Sequence, residues 1–165
     1  MTLSSKSIKL SPPDISEILK KEGADAYLLH GNIHDSDIYY ATRFLASDPF
    51  SYILFQDLSE ILLVSDMEKG RADNESRISA ENIKTTSDYD FRGKIKTFKN
   101  STLAYAAVLK EMMEKENVKK VAVSYDFPAF YFDRLKNDEN GGIDVVLIQT
   151  PFEKNRSVKS DREIE

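Results

Sequence analysis

Residues 23–44 read GADAYLLHGNIHDSDIYYATRF, and this stretch decides the fold class. Gly23 is suited to stop a helix, because glycine enters the left-handed conformation without steric cost. Asp25 to His30 follow as a short apolar run of strand length. Gly31-Asn32-Ile33 is turn chemistry, and Asp35 or Ser36 can cap a short helix carrying Ile38, Tyr39, Tyr40 and Phe44. A helix stop, a strand, a turn and a new helix in immediate succession predict α/β layering.

Reading outward, the pattern continues. Ser11 can cap a helix that tolerates Pro12 and Pro13 in its first turn and carries Ile15, Ile18 and Leu19 on one side. SYILFQ and EILLVS, separated by Asp57-Leu58-Ser59, suit two strands of a hairpin, so the sheet is expected to be mixed. DMEKGRADNESR is helix-competent although Gly70 weakens it, and ENIKTT reads as a strand. The loop-like SDYDFRGK then precedes the strongest helix, STLAYAAVLKEMMEKEN, capped by Ser101 or Thr102, with Leu103, Ala106, Ala107, Leu109 and Met113 along its apolar face. KKVAVSYD is a strand, Pro128 opens a helix, and IDVVLIQT reads as a final buried strand.

Composition bounds the function. The 165 residues are 41% hydrophobic and 31% charged, which is the profile of one globular domain. A chain of this size buries about 68–70% of its unfolded surface and folds without staples. It contains no cysteine, which excludes disulfides, a thiol nucleophile and a cysteine zinc site. No secretory leader is legible and no apolar run approaches the roughly 18 residues of a membrane span, so a cytoplasmic setting without membrane association is expected. The net charge is −5 with both signs interspersed, and no basic stripe offers itself to phosphates, so nucleic acid is not an expected partner. The densest basic stretch, Arg92 to Lys99, reads as a solvated loop.

Chemistry is sparse. His30 and His34 have the i,i+4 spacing of a helical metal pair, but the turn between them makes them strand-end and loop histidines. His34, beside Asp35 and Asp37, falls where α/β proteins place ligands, at a strand's carboxyl end. No G-x-S-x-G elbow, G-x-G-x-x-G fingerprint or phosphate loop is present. Asp126 is a lone carboxylate at the end of a strand and reads as a turn aspartate before Phe127-Pro128. No metal site is expected within the chain, nor a self-contained active site.

Four stretches and a terminal junction, taken in order, carry a resemblance. Asp37-Ile38-Tyr39-Tyr40-Ala41-Thr42-Arg43-Phe44 is similar to a pattern of Asn-Ile-x-Tyr-Leu-Thr-Gly-Phe after an apolar strand. SDPFSYILF follows as the next strand, ILLVSDMEKGRA is similar to L-V-x-x-x-E-x-x-R-A, and VAVSYDFPAFYFDRL matches a late strand–turn–helix. RSVKSDREIE resembles R-x-x-K-S-x-x-E-I-E, and its Ser160 to Glu163 have the form of a helix capping box. Together these resemble the N-terminal domain of the creatinase / Xaa-Pro peptidase family, the pita-bread metallopeptidases that cleave beside proline. Asp37 stands where Asn is usual and Arg43 where Gly is usual.

The resemblance implies a three-layer α/β/α, ribonuclease-H-like domain over residues 1–155. Residues 156–165 would be a linker and the start of the first helix of a C-terminal catalytic domain. It implies no catalytic residue in this chain; the two divalent metal ions (Mn, Co or Zn) and their Asp, Asp, His, Glu, Glu ligands would belong to that further domain. The chain by itself is then not an enzyme, whereas the longer protein is a metal-dependent Xaa-Pro dipeptidase or aminopeptidase. Its expected partners are that catalytic domain, a second copy in a homodimer, and proline-containing peptides. The substrate-access candidates are His34, Asp37, Tyr40 and Arg43. Two alternatives remain open: a non-catalytic pita-bread protein binder, as the large subunit of the FACT histone chaperone is, and a free-standing α/β domain that binds a small molecule.

Overall fold

The computed structural model describes residues 12–152. Ser11, the capping box at Ser160 and the 155/156 boundary therefore lie outside the described residues. Helix α1 (Pro12–Glu22) buries Ile15 and Leu19 and packs Ile18 against the same core. It ends as its sequence demands. Gly23 has φ +65°, its N–H donates to the Lys20 carbonyl at 3.1 Å, and the Ala24 N–H donates to Leu19 at 2.9 Å. That paired arrangement satisfies two carbonyls the helix end would otherwise leave open.

Strand β1 (Ala26–Gly31) lies inside a six-stranded sheet of order β4-β3-β2-β1-β5-β6. It pairs antiparallel with β2 (Phe50–Phe55) and parallel with β5 (Lys120–Ser124). β2 and β3 (Glu60–Val64) form the antiparallel hairpin; β4 (Ile83–Thr85) runs parallel to β3, and β6 (Asp144–Ile148) parallel to β5. The sheet is therefore mixed. Alternation along β1 sends Tyr27 and Leu29 to a core with α1, α2 (Ser36–Thr42) and α3 (Lys69–Glu75). Ala26 and Leu28 face a second core with α5 (Ser101–Lys115), α6 (Ala129–Lys136) and Phe91 of α4 (Phe91–Phe98). Helices on both faces of one sheet make the three-layer α/β/α architecture.

Three expectations are corrected. The basic stretch is not a loop but α4, because Asp90 takes the left-handed conformation (φ 50°) and its side chain accepts the Gly93 N–H. Lys94 then bonds the Tyr89 carbonyl and Glu111 of α5, fastening a helix that has no buried residue of its own. The last apolar run is an edge strand rather than a buried one: Val145 and Ile148 are buried, but Asp144 and Leu147 are exposed. Helix α5 is capped by Asn100, whose side chain accepts the Leu103 N–H at 2.9 Å, and not by Ser101 or Thr102.

The motif residues hold the fold. Thr42 is buried, donates its hydroxyl to the Ile38 carbonyl at 2.6 Å, and accepts the Phe44 N–H at 3.2 Å. Phe44 is fully buried edge-on to Phe50. In α3, Arg71 pairs with Glu68 at 2.7 Å, donates to the Leu45 carbonyl and covers the Phe44 ring, while Ala72 beside it is fully buried. Arg77 grips Glu60 with both terminal nitrogens, at 2.9 and 2.7 Å, and bonds the Ala41 carbonyl. Helix α2 is thus clamped at its carboxyl end from two directions, which fixes where its amino end sits.

Candidate functional site

After β1 the chain turns to α2 on one face of the sheet, and after β5 it turns to α6 on the other. β1 and β5 are parallel neighbours, so the two connections diverge and open a crevice at their carboxyl ends. A cleft of about 540 Å³ occupies that place, lined by His30, Gly31, Asn32, His34, Asp35, Ser36, Asp37, Pro49, Asp126 and Pro128.

Asp35 builds one wall. Its Oδ1 accepts the N–H groups of Asp37 (3.0 Å) and Ile38 (3.1 Å), capping α2. Gly31 allows this close approach: a Cβ there would stand 2.6 Å from Asp35 Oδ2. Burial holds the Asp35 carboxyl above its ordinary pKa, and the charges of Asp37 and Asp126 add to the rise. Asp37 Oδ2 accepts from the Thr150 hydroxyl at 2.7 Å, tying α2 to the segment after β6. Asp126 Oδ1 accepts from Ser124, the last residue of β5. Tyr27 is fully buried nearby; burial raises its pKa, and the charges acting on it are those of Asp37 and Asp126.

His30 forms the floor on the α5–α6 side. Its Nδ1 lies 2.8 Å from Ser51 Oγ, which lies 2.7 Å from the Tyr105 hydroxyl. The rings of Tyr105 and Tyr131 flank the imidazole at 5.2 and 4.8 Å. Burial pushes the His30 pKa down to about 4, so the ring is neutral at pH 7. Ser51 is fully buried within β2, so the serine–histidine contact cannot present a nucleophile.

The structure places His34 and Asp37 in the cleft lining. Tyr40 and Arg43 lie at the other end of α2, outside the lining. Tyr40 is buried and meets Phe152 edge-on, and Arg43 covers the Tyr39 and Tyr40 rings at 5.5 and 5.6 Å. Arg43 caps α2 in the left-handed conformation (φ 53°), which gives the physical reason for glycine in the motif. Asp35 lines the cleft beside His34, as its place in the sequence suggests, whereas His30 and Asp126, read from the sequence as a strand-end histidine and a turn aspartate, also belong to the lining. Among the described residues no three His, Asp or Glu side chains are placed to hold a metal ion. Nor, among the described residues, is any helix long and apolar enough to cross a membrane.

An α/β/α domain with a mixed sheet and a cleft at its switch point is the class this geometry defines. The sequence matches the Creatinase/Prolidase N-terminal domain family over residues 14–158, and the chain belongs to that family. Its fold is similar to that of the prolidase from Pyrococcus horikoshii, at 20% identity and a TM-score of 0.64, covering 93% of this chain and 36% of that one. It is similar to an Xaa-Pro aminopeptidase from Streptococcus thermophilus, at 17% identity and a TM-score of 0.57, covering 89% and 94%. The N-terminal domain of the cytoplasmic peptidase PepQ from Mycobacterium tuberculosis aligns at 14% identity and a TM-score of 0.60, covering 88% and 97%. The chain thus spans just over a third of the Pyrococcus horikoshii prolidase. No curated protein sequence matches it.

Proposed function

We propose that this chain is the non-catalytic N-terminal domain of an Xaa-Pro dipeptidase or aminopeptidase. In this reading it supports a homodimer and shapes peptide access to a dinuclear metal site carried by a C-terminal catalytic domain. The observation that carries the reading is the family match over residues 14–158, together with the 36% share of a prolidase chain that the fold covers. The metal ions (Mn, Co or Zn) belong, on this reading, to the further domain, and the cytoplasm is its compartment.

The domain's contribution is positional. Asp35 caps α2 at the cleft, while Arg77 and Arg71 brace its far end, so the loop Gly31–Asp37 is carried on a rigid support. His34 and Asp37 at the cleft and Arg43 at the opposite end of α2 would touch the arriving peptide, with Tyr40 holding Arg43 from beneath. The test is kinetic, on the polypeptide encoded by the intact gene. His34→Ala, Asp37→Asn and Arg43→Ala are expected to raise KM for an Xaa-Pro substrate several-fold, roughly 1 kcal/mol of binding each, with kcat less affected. Unchanged KM and kcat in all three would overturn the assignment of these residues to substrate access.

A further inference from the structure

The hydrogen-bond chain beneath the cleft favours one tautomer of His30. Among the described residues the Tyr105 hydroxyl has Ser51 Oγ as its one hydrogen-bond partner, and a half-buried phenol is better satisfied donating to it than left without an acceptor. With Tyr105 donating to Ser51, the Ser51 hydroxyl is left to donate its own proton to His30 Nδ1. A neutral imidazole that accepts at Nδ1 carries its proton on Nε2. Nε2 makes no hydrogen bond within the described residues and is not among their buried unsatisfied atoms, so it is the donor His30 presents to the cleft that it lines.

The rim sets the charge of whatever accepts that hydrogen bond. Among the described residues, Asp35, Asp37 and Asp126 line the cleft and no lysine or arginine does. Asp35 and Asp126 each commit one oxygen to the fold, Oδ1 to the α2 amides and Oδ1 to Ser124, and keep the other outside any hydrogen bond in the described residues. An acceptor that is itself a carboxylate is repelled by this rim, whereas a neutral carbonyl next to a cation is favoured at both ends.

We propose that the β1/β5 cleft is a binding subsite for an α-ammonium group next to a neutral carbonyl, the chemistry of a peptide's amino terminus. His30 Nε2–H donates to the carbonyl oxygen, and the Asp35 and Asp126 carboxylates receive the ammonium. The subsite stands on this chain's own residues and does not depend on the peptidase reading. If that reading fails, the cleft still selects the same chemistry.

The test uses the 165-residue chain and nitrogen-15 NMR. The imidazole spectrum of His30 is expected to show a protonated Nε2 and a bare Nδ1; the opposite tautomer would overturn the proposal. Alaninamide, alanine and N-acetylalaninamide are then titrated as probes. Alaninamide is expected to shift His30 Nε2 and the amides of Gly31 and Asn32 saturably. Alanine, with a carboxylate in place of the amide, should bind about tenfold more weakly or not at all. Asp126→Asn, an exposed position, should weaken alaninamide about three- to tenfold and leave N-acetylalaninamide unaffected. Equal binding of alanine and alaninamide, or shifts that survive both Asp126→Asn and His30→Gln, would overturn the proposal. So would the absence of any saturable shift with alaninamide.

Discussion

Removing Arg77 should cost this domain more than any other single surface-reaching charge. Its side chain is 13% exposed and that of its partner Glu60 is 18% exposed, so both charges are largely taken from water. The pair is bidentate, Tyr52 donates to Glu60 Oε2 at 2.6 Å, and Arg77 also bonds the Ala41 carbonyl and donates from its main chain to Thr42 at 3.0 Å. Arg77→Ala leaves Glu60 as a largely buried carboxylate held by one phenol and leaves the Ala41 carbonyl open. Breaking a buried pair in this way costs about 3–5 kcal/mol, and the residual exposure places the expected loss near the lower end, about 3 kcal/mol. With a urea m-value of about 2 kcal/mol per M, the midpoint should fall by about 1.5 M at unchanged m. Arg77→Met combined with Glu60→Met removes both charges and should cost less than Arg77→Met alone, so that the cycle built from Arg77→Met and Glu60→Met gives a coupling of at least about 1.5 kcal/mol. A midpoint shift under about 0.5 M for Arg77→Ala, or a double variant as costly as the sum of the singles, would refute the reasoning.

Other perturbations follow from the same geometry. His30 has a folded pKa of about 4 against 6.5 unfolded, so its contribution is complete above pH 6.5 and is lost as pH falls toward 4. The loss reaches about 3 kcal/mol; denaturation midpoints across pH 7 to 4 should show it, and His30→Gln should flatten that part of the profile. Tyr27, Tyr52 and Tyr105 all have raised pKa values through burial, so stability should hold below pH 10 and fall above it, read by alkaline unfolding. Gly31→Ala puts a Cβ against Asp35 and should cost about 1–3 kcal/mol in thermal or urea unfolding, with part of the loss restored by Asp35→Ala in the same chain. Arg43→Val should be at least about 1 kcal/mol less stable than Arg43→Gly, because a β-branched residue resists φ 53° and glycine does not.

What could be read from the sequence was the part set by local pattern. The strand before His30, the hairpin around Asp57-Leu58-Ser59 and the stop at Gly23 each depend on neighbours a few residues away, and each is where the pattern puts it. Helix α4 was missed because Gly93 weakens it on propensity, while its cap uses Asp90 in a left-handed conformation that no simple pattern announces. The edge position of β6 was missed for another reason: an apolar run looks the same whether one side of the strand is paired or two. The cleft was half legible. His34, Asp35 and Asp37 are neighbours in sequence, but Asp126 joins them only because β5 pairs with β1. The His30–Ser51–Tyr105 chain spans separations of 21 and 54 residues, and nothing local marks either partner.

On the proposed function, this domain serves a peptidase whose chemistry lies outside it. The decisive measurement is release of proline from an Xaa-Pro dipeptide with and without added Mn²⁺ or Co²⁺. The polypeptide encoded by the intact gene should release proline only with metal, and the purified 165-residue chain should release none. Metal-dependent release by the 165-residue chain alone, or none from the intact gene product with any of these metals, would contradict the account.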